Sequence, residues 1–157
     1  MAKQYRVGAF VRFNNAVMRA MLRMGLSFRS FEILAVAGRK TGRQIRTPIV
    51  VFSHGGGRYL VAPYGIVNWV RNLRAAQGRA QLIRGRRIEP ITAVELPPER
   101  AAPILRESLL AGPPGVPRPI VRLYRRFQVL PYLDVDTDSS LEEFERAVST
   151  HPVFRVE

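Results

Sequence analysis

The 157-residue chain has no cysteine, which removes disulfides, thiolate metal sites and cysteine nucleophiles together and fits a reducing cytoplasm. Histidine is nearly as scarce. His54 and His151 are too few for a histidine metal centre, so no metal is expected. No apolar run approaches the roughly 20 residues needed to span a bilayer. Arg6, Arg12, Arg19 and Arg23 also interrupt every stretch in which a signal peptide could form. The expectation is a cytoplasmic protein, soluble or peripheral on the inner face of the cell membrane.

Acidic residues are the next shortage. Residues 1–90 hold only Glu32 and Glu89, so paired carboxylates for acid–base work are missing from that half. Against them stand seventeen Lys and Arg, whereas residues 91–157 carry eight cations and ten acids. The whole chain is formally +13. Such a basic half needs an anionic counterpart: nucleic acid, lipid or a polyanionic small molecule. Lysine is nearly absent as well. Lys3 and Lys40 are the only two, and an ammonium is a compact charge suited to phosphate.

What is present reads as one domain of ordinary apolar content, 46%, preceded by a helix. Residues 8–25 are amphipathic, with Arg12, Arg19 and Arg23 on one stripe, a wide apolar face and Gly25 as the stop. That pattern suits an anionic membrane surface, and equally a helix packed on a domain. Strands are expected over 30–38, 46–54 and 58–65, the last two joined at Gly55–Gly57. A helix follows over 66–76, then a hairpin around Gly85 in which Pro90 favours an edge. Helices are expected from Pro97 to Gly112, near 118–129 and at "LEEFERAVS", before a last strand "PVFRVE". Without βαβ alternation, a small antiparallel barrel flanked by helices fits best. The expected division is 1–28 for the helix and 29–157 for an α+β barrel domain.

Familiar chemistry finds little material. "GRKTG" lacks the first glycine of a phosphate-binding P-loop, and Ser53 and His54 would point to opposite faces of a strand. Anion binding remains. In "GRKTGRQIR", Gly38 and Gly42 permit exposed amides, while Arg39, Lys40 and Arg46 can converge on phosphate or carboxylate oxygens. A solvated hairpin tip would look the same. "VNWVRNLRA" supplies Asn68, Trp69 and Asn72 after the strand end "VAPYG"; Trp69 there could edge a flat ring or simply be core. Single-strand nucleic-acid readers interleave aromatic and basic residues. The basic stretches here do not, so nucleic acid is not expected.

In this order and spacing, GRKTG, Arg46, Pro48, "VAP-x-G" and "NW-x-x-NL-x-A" resemble the deazaflavin-dependent nitroreductase family of actinobacteria. The likeness covers residues 30–95 and the terminal "HPVFRVE". It implies a split β-barrel like that of the pyridoxamine-phosphate oxidases. It also implies coenzyme F420, an 8-hydroxy-5-deazaflavin with a phosphodiester and an oligoglutamate tail, with flavin mononucleotide as the alternative on this fold. Carried over, Gly38, Arg39, Lys40, Thr41, Gly42 and Arg46 would hold the phosphate and tail. Pro48, Ala62, Tyr64 and Gly65 would border the ring, and Asn68, Trp69 and Asn72 would secure the junction. No catalytic residue is assigned; Tyr64, Tyr124 and Tyr132 are candidates for the substrate pocket. The sequence departs from the family at Val50, where an aromatic residue is usual, and over residues 112–138. The implied activity is hydride transfer to a lipophilic acceptor such as a quinone, enone or nitro compound. A non-catalytic carrier would share the same residues. A monomer or a homodimer is equally compatible with the sequence.

Overall fold

The computed structural model describes residues 31–112 and 117–157. The amphipathic segment 8–25, and with it the 1–28 unit, lies outside the described residues. Among the described residues there are six strands: β1 (Phe31–Ala37), β2 (Gln44–His54), β3 (Gly57–Val61), β4 (Arg79–Arg84), β5 (Arg87–Glu95) and β6 (Val153–Val156). The same residues form four α-helices: α1 (Asn68–Ala75), α2 (Pro98–Ala111), α3 (Arg118–Tyr124) and α4 (Leu141–Val148). Proline opens α2, where the missing N–H costs nothing, and Gly112 ends it at φ 65°. Ser140 and Glu143 cap α4 reciprocally: each side chain accepts the other's backbone N–H, at 3.3 and 2.6 Å.

Three elements differ from the sequence expectation. The third strand stops at Val61: after one last bond in register with β6, from Ala62 N–H to Pro152 O, the chain turns, Gly65 N–H bonding back to Ala62 O. Consequently α1 begins at Asn68, after an extended Val67, and Ile66 lies before it. The helix expected to reach 129 is α-helical only to Tyr124. It widens into a π turn (Arg125–Val129) and ends in a 3-10 turn (Leu130–Tyr132). Pro131 lacks an N–H and disfavours helix in the residue before it.

All strand pairs are antiparallel and close into a barrel in the order β1-β2-β3-β6-β5-β4. A closed barrel leaves no edge strand, yet Pro90 is accommodated. It sits opposite Gln81 on β4, while β6 pairs with β5 only over Ala93–Glu95. The barrel interior is filled by alternate residues, including Leu34, Val36, Val51, Leu60, Leu82, Ile91, Ala93, Phe154 and Val156. Each fully buried leucine there stabilises by about 1.5–3 kcal/mol relative to exposure. From α1, Trp69, Val70 and Leu73 close one mouth, with the Trp69 ring 5.9 Å from that of Phe154. A second cluster lies outside the barrel wall. There α2 and α4 pack Leu105, Leu109, Phe144 and Val148 over Phe52 and Val153.

The opposite mouth carries charge. Arg84 reaches Glu32 at 2.7 Å, and Arg58 grips Glu89 with two bonds of 3.0 and 2.6 Å. Near the α1 end, Arg74 binds Glu95 through bonds of 2.9 and 2.6 Å. The Arg58–Glu89 and Arg74–Glu95 pairs are part-exposed and contribute at most about 1 kcal/mol each; Glu32 is buried and depends on Arg84 as its partner. Their larger effect is on where charge is left over.

Gly78, at φ 78°, joins α1 to β4, and a Cβ there would collide with the Ala93 carbonyl. That carbonyl belongs to β5 itself, so relief requires parting the barrel wall. Gly55 has φ 56° with open space around it. Gly55→Ala is expected to cost about 1–2 kcal/mol, the left-handed penalty alone. Gly78→Ala should cost at least twice as much in urea unfolding; equal losses would show that the junction can yield.

Candidate functional site

Strand β2 has two different neighbours along its length. It pairs with β1 from Gln44 to Val50, but with β3 only from Val51 to His54. Beyond the Val51–Leu60 pair the β2–β3 ladder ends, whereas β3 stays in register with β6 for one more residue through the Ala62 N–H to Pro152 O bond. Residues 44–50 of β2 therefore keep one side without a ladder partner among the described residues. The Ala62–Val67 corner follows β3 where its pairing with β2 has ended.

At the start of this unpaired stretch is the β1–β2 turn. Gly38 N–H donates to Arg43 O at 2.8 Å, and Gly42 N–H to Gly38 O at 2.7 Å. Gly42 adopts φ 70°, which a side chain would resist. Arg39, Lys40 and Thr41 are thereby held at an exposed tip. Thr41 Oγ1 accepts the Arg43 N–H at 3.3 Å, which leaves its own proton to donate. The tip is fastened from α1: Asn72 Oδ1 accepts from both Arg39 N (3.2 Å) and Arg39 Nη1 (2.8 Å). Asn72 is 1% exposed, so this acceptor is fixed before any ligand arrives.

Electrostatics point the same way. Residues 31–95 contain three acids, Glu32, Glu89 and Glu95, and each is bound by an arginine outside the turn. Arg58 holds the Glu89 carboxyl below the ordinary range through its hydrogen bonds, chiefly outweighing burial. Among the described residues no carboxylate forms an ion pair with Arg39, Lys40, Arg43 or Arg46. The turn is a cationic cluster with no carboxylate partner among the described residues, but the expected exposed amides are not there. The N–H groups of Gly38, Arg39, Thr41, Gly42 and Arg43 are all bonded within the fold, so side chains are what it offers an anion.

The remaining sequence candidates fall into distinct places. Arg46 is exposed and Pro48 half-buried, on the same outward face of β2 opposite Ala35 and Ile33. Gly65 is buried and Tyr64 half-buried in the corner, and Asn68 is exposed at the start of α1. Ala62 and Trp69 lie in the barrel core, so they shape the site from beneath. Asn72 acts through Arg39. Tyr132 meets Tyr64 edge to face, ring centres 5.8 Å apart, forming an aromatic wall beside the corner. Tyr124 ends α3, and its side chain lies outside the described set.

Two features had no sequence signal. One is the unpaired β2 edge, which exists only because β3 departs at Val61. The other is His151, 6% exposed behind Gly65. Burial lowers its pKa below 6.5, outweighing the facing carbonyls of Ala147 and Tyr132 and the charge of Asp134. The neutral ring is thus the form the fold favours. Its stabilisation is full above the unfolded pKa of about 6.5 and is lost as pH falls through the lower folded value. Thermal midpoints should therefore fall on acidification below pH about 6.5, and His151→Gln should flatten that slope. A slope unchanged by the substitution would assign the effect elsewhere.

For the turn, Lys40→Ala and Asn72→Ala should each weaken binding of the acidic deazaflavin by roughly tenfold or more, the worth of one charge-assisted hydrogen bond. Fluorescence titration measures it. If both variants keep the wild-type dissociation constant, the turn is not the anion seat.

No curated protein matches the chain. One solved structure, titled as a domain-swapped dimer, is 19% identical with a TM-score of 0.50, over 96% of this chain and all of its own. It shows the same fold, the split β-barrel with flanking helices. Another, titled "Structure of F420-H2 Dependent Reductase (FDR-A)", is 18% identical with a TM-score of 0.40, over 82% of this chain and 95% of its own. The profile of the F420H(2)-dependent quinone reductases matches residues 10–115, which include the whole turn, the corner and Asn72. With two thirds of its length matched, this chain belongs to the F420H2-dependent quinone reductase family of oxidoreductases.

Proposed function

We propose that this protein reduces a lipophilic quinone with reduced coenzyme F420 bound in the groove between β2 and the Ala62–Val67 corner. The observation that carries this reading is the counterion-free cationic turn, fastened by Asn72 at the head of that groove. Its donors fit the coenzyme's acidic tail: Lys40 supplies an ammonium, Thr41 a free hydroxyl proton and Arg39 the part of its guanidinium not given to Asn72. Arg46, further along β2, extends the positive wall towards the ring. The coenzyme, when bound, supplies the hydride.

The protein's own contribution is position and exclusion of water. The Tyr64 and Tyr132 rings bound one side of the corner, and their flat faces suit a planar apolar acceptor. Trp69 and Ala62 give the corner a rigid base, because both are locked in the barrel core. The same chemistry would admit an enone or a nitro compound of similar shape. Residues 8–25 belong to this reading as an anionic-surface contact, since a lipophilic quinone resides in membrane.

Turnover of a quinone carried in lipid vesicles tests both parts. Reduced F420 should be consumed in the presence of vesicle-borne quinone, and faster with anionic than with neutral vesicles. Absence of any turnover, despite bound coenzyme, would favour a carrier over an enzyme. Equal rates with the two vesicle types would remove residues 8–25 from the function.

A further inference from the structure

The C-terminal part of the chain is acidic as a whole, yet one stretch of it is not. Between Glu107 and Asp134 there is no acid, while Arg118, Arg122, Arg125 and Arg126 all fall there. The first two belong to α3, and the packing of that helix decides which way they face. Val121 is buried, and a Cβ on Gly112 at the end of α2 would collide with its side chain. Arg125 Nη1 donates to the Leu109 carbonyl at 3.2 Å, a cation on the last turn of α2. One side of α3 is thereby turned onto α2. Arg118, Pro119, Arg122 and Leu123 are exposed on the side left over.

That face mixes charge with apolar surface. Leu123, 62% exposed, is the most exposed large apolar side chain among the described residues, and Leu110 at the α2 end is 39% exposed. Among the described residues no carboxylate forms an ion pair with Arg118 or Arg122. A soluble polyanion would match only the arginines. An anionic bilayer matches both features: guanidinium groups meet headgroup phosphates, and a leucine beside them enters the acyl boundary.

We propose that the exposed face of α3, centred on Arg118, Arg122 and Leu123, docks on an anionic lipid surface. The same helical segment runs on to Tyr132, whose ring meets that of Tyr64. Docking through α3 therefore brings the aromatic wall to the bilayer that carries a lipophilic quinone. The docking stands on exposure and charge; its service to the acceptor rests on the quinone-reductase reading proposed above. It belongs to the barrel domain and does not depend on residues 8–25.

Partition onto vesicles tests the docking with neither coenzyme nor quinone. The full chain should sediment with phosphatidylglycerol-rich vesicles and little with phosphatidylcholine ones. At roughly fivefold per arginine, Arg118→Gln combined with Arg122→Gln should cost about 25-fold in partition at low salt. The loss should shrink as salt is added. Both side chains are exposed, so the thermal midpoint should not change. Because the chain has no cysteine, one polarity-sensitive fluorophore can be attached at a chosen position. On Leu123→Cys its emission should shift to the blue with anionic vesicles. On Leu141→Cys, exposed beside Glu142 and Glu143, it should not.

Unchanged partition in the double arginine variant overturns the proposal, whatever residues 8–25 contribute. So does the absence of a shift at position 123, which would make the arginines a site for a soluble polyanion. Equal shifts at 123 and 141 overturn it too. In turnover, the double variant should be slowed with vesicle-borne quinone and unchanged with a water-soluble one; equal slowing with both overturns the link to the acceptor. A wild type that reduces neither quinone ends the functional reading, while the vesicle partition still decides the docking.

Discussion

One oxygen atom, Asn72 Oδ1, links the barrel core to the surface on which a ligand would land. It accepts the backbone and guanidinium N–H groups of Arg39 while buried among the residues that close the barrel mouth. Trp69, Val70 and Leu73 hold α1 in that mouth, so packing energy in the core becomes positional precision at the turn. Without this anchor, Arg39 and Lys40 would sit on a free hairpin tip and would lose entropy on meeting an anion. With it, part of that ordering is done by folding.

The placement of the few acids completes the site. A protein of this charge could have neutralised its turn with a neighbouring glutamate. Instead Glu32 and Glu89 lie at the far mouth of the barrel, and Glu95 is engaged by Arg74. The Arg58–Glu89 pair raises the arginine's pKa and lowers the carboxyl's, the signature of two groups satisfied by each other. The positive potential left at the turn is therefore a property of the tertiary arrangement, reinforced by Arg43 and Arg46 nearby in sequence. A polyanionic tail would meet several of these charges at once.

The C-terminal half serves the groove differently. It covers the outer wall of the barrel with α2 and α4, then returns β6 into the wall beside β3. The Pro152 carbonyl that precedes β6 takes the Ala62 N–H, which carries the β3–β6 pairing one residue past Val61, after β3 has left β2. The helical segment between α2 and α4 contributes Tyr132, and its irregular π and 3-10 turns are the least ladder-bound part of the site.

The sequence by itself determined the element order, the antiparallel class and the basic character of the β1–β2 turn. Those depend on local chemistry: strand-length apolar runs, glycines at Gly38 and Gly42, and arginine without nearby acid. It also carried the family in the spacing of GRKTG, "VAPYG" and "NWVRNL". It placed Asn72 near the site but not its partner, because Arg39 lies 33 residues away. The packing of Trp69 on Phe154, a residue from the last strand, likewise has no local sequence signal. The end of β3 and the burial of His151 follow from contacts between distant segments, whereas the break before Tyr132 is local, set by Pro131. Side-chain identity and spacing encode which local structures are favourable. Only the closed barrel decides which of their edges, charges and rings are left facing one another.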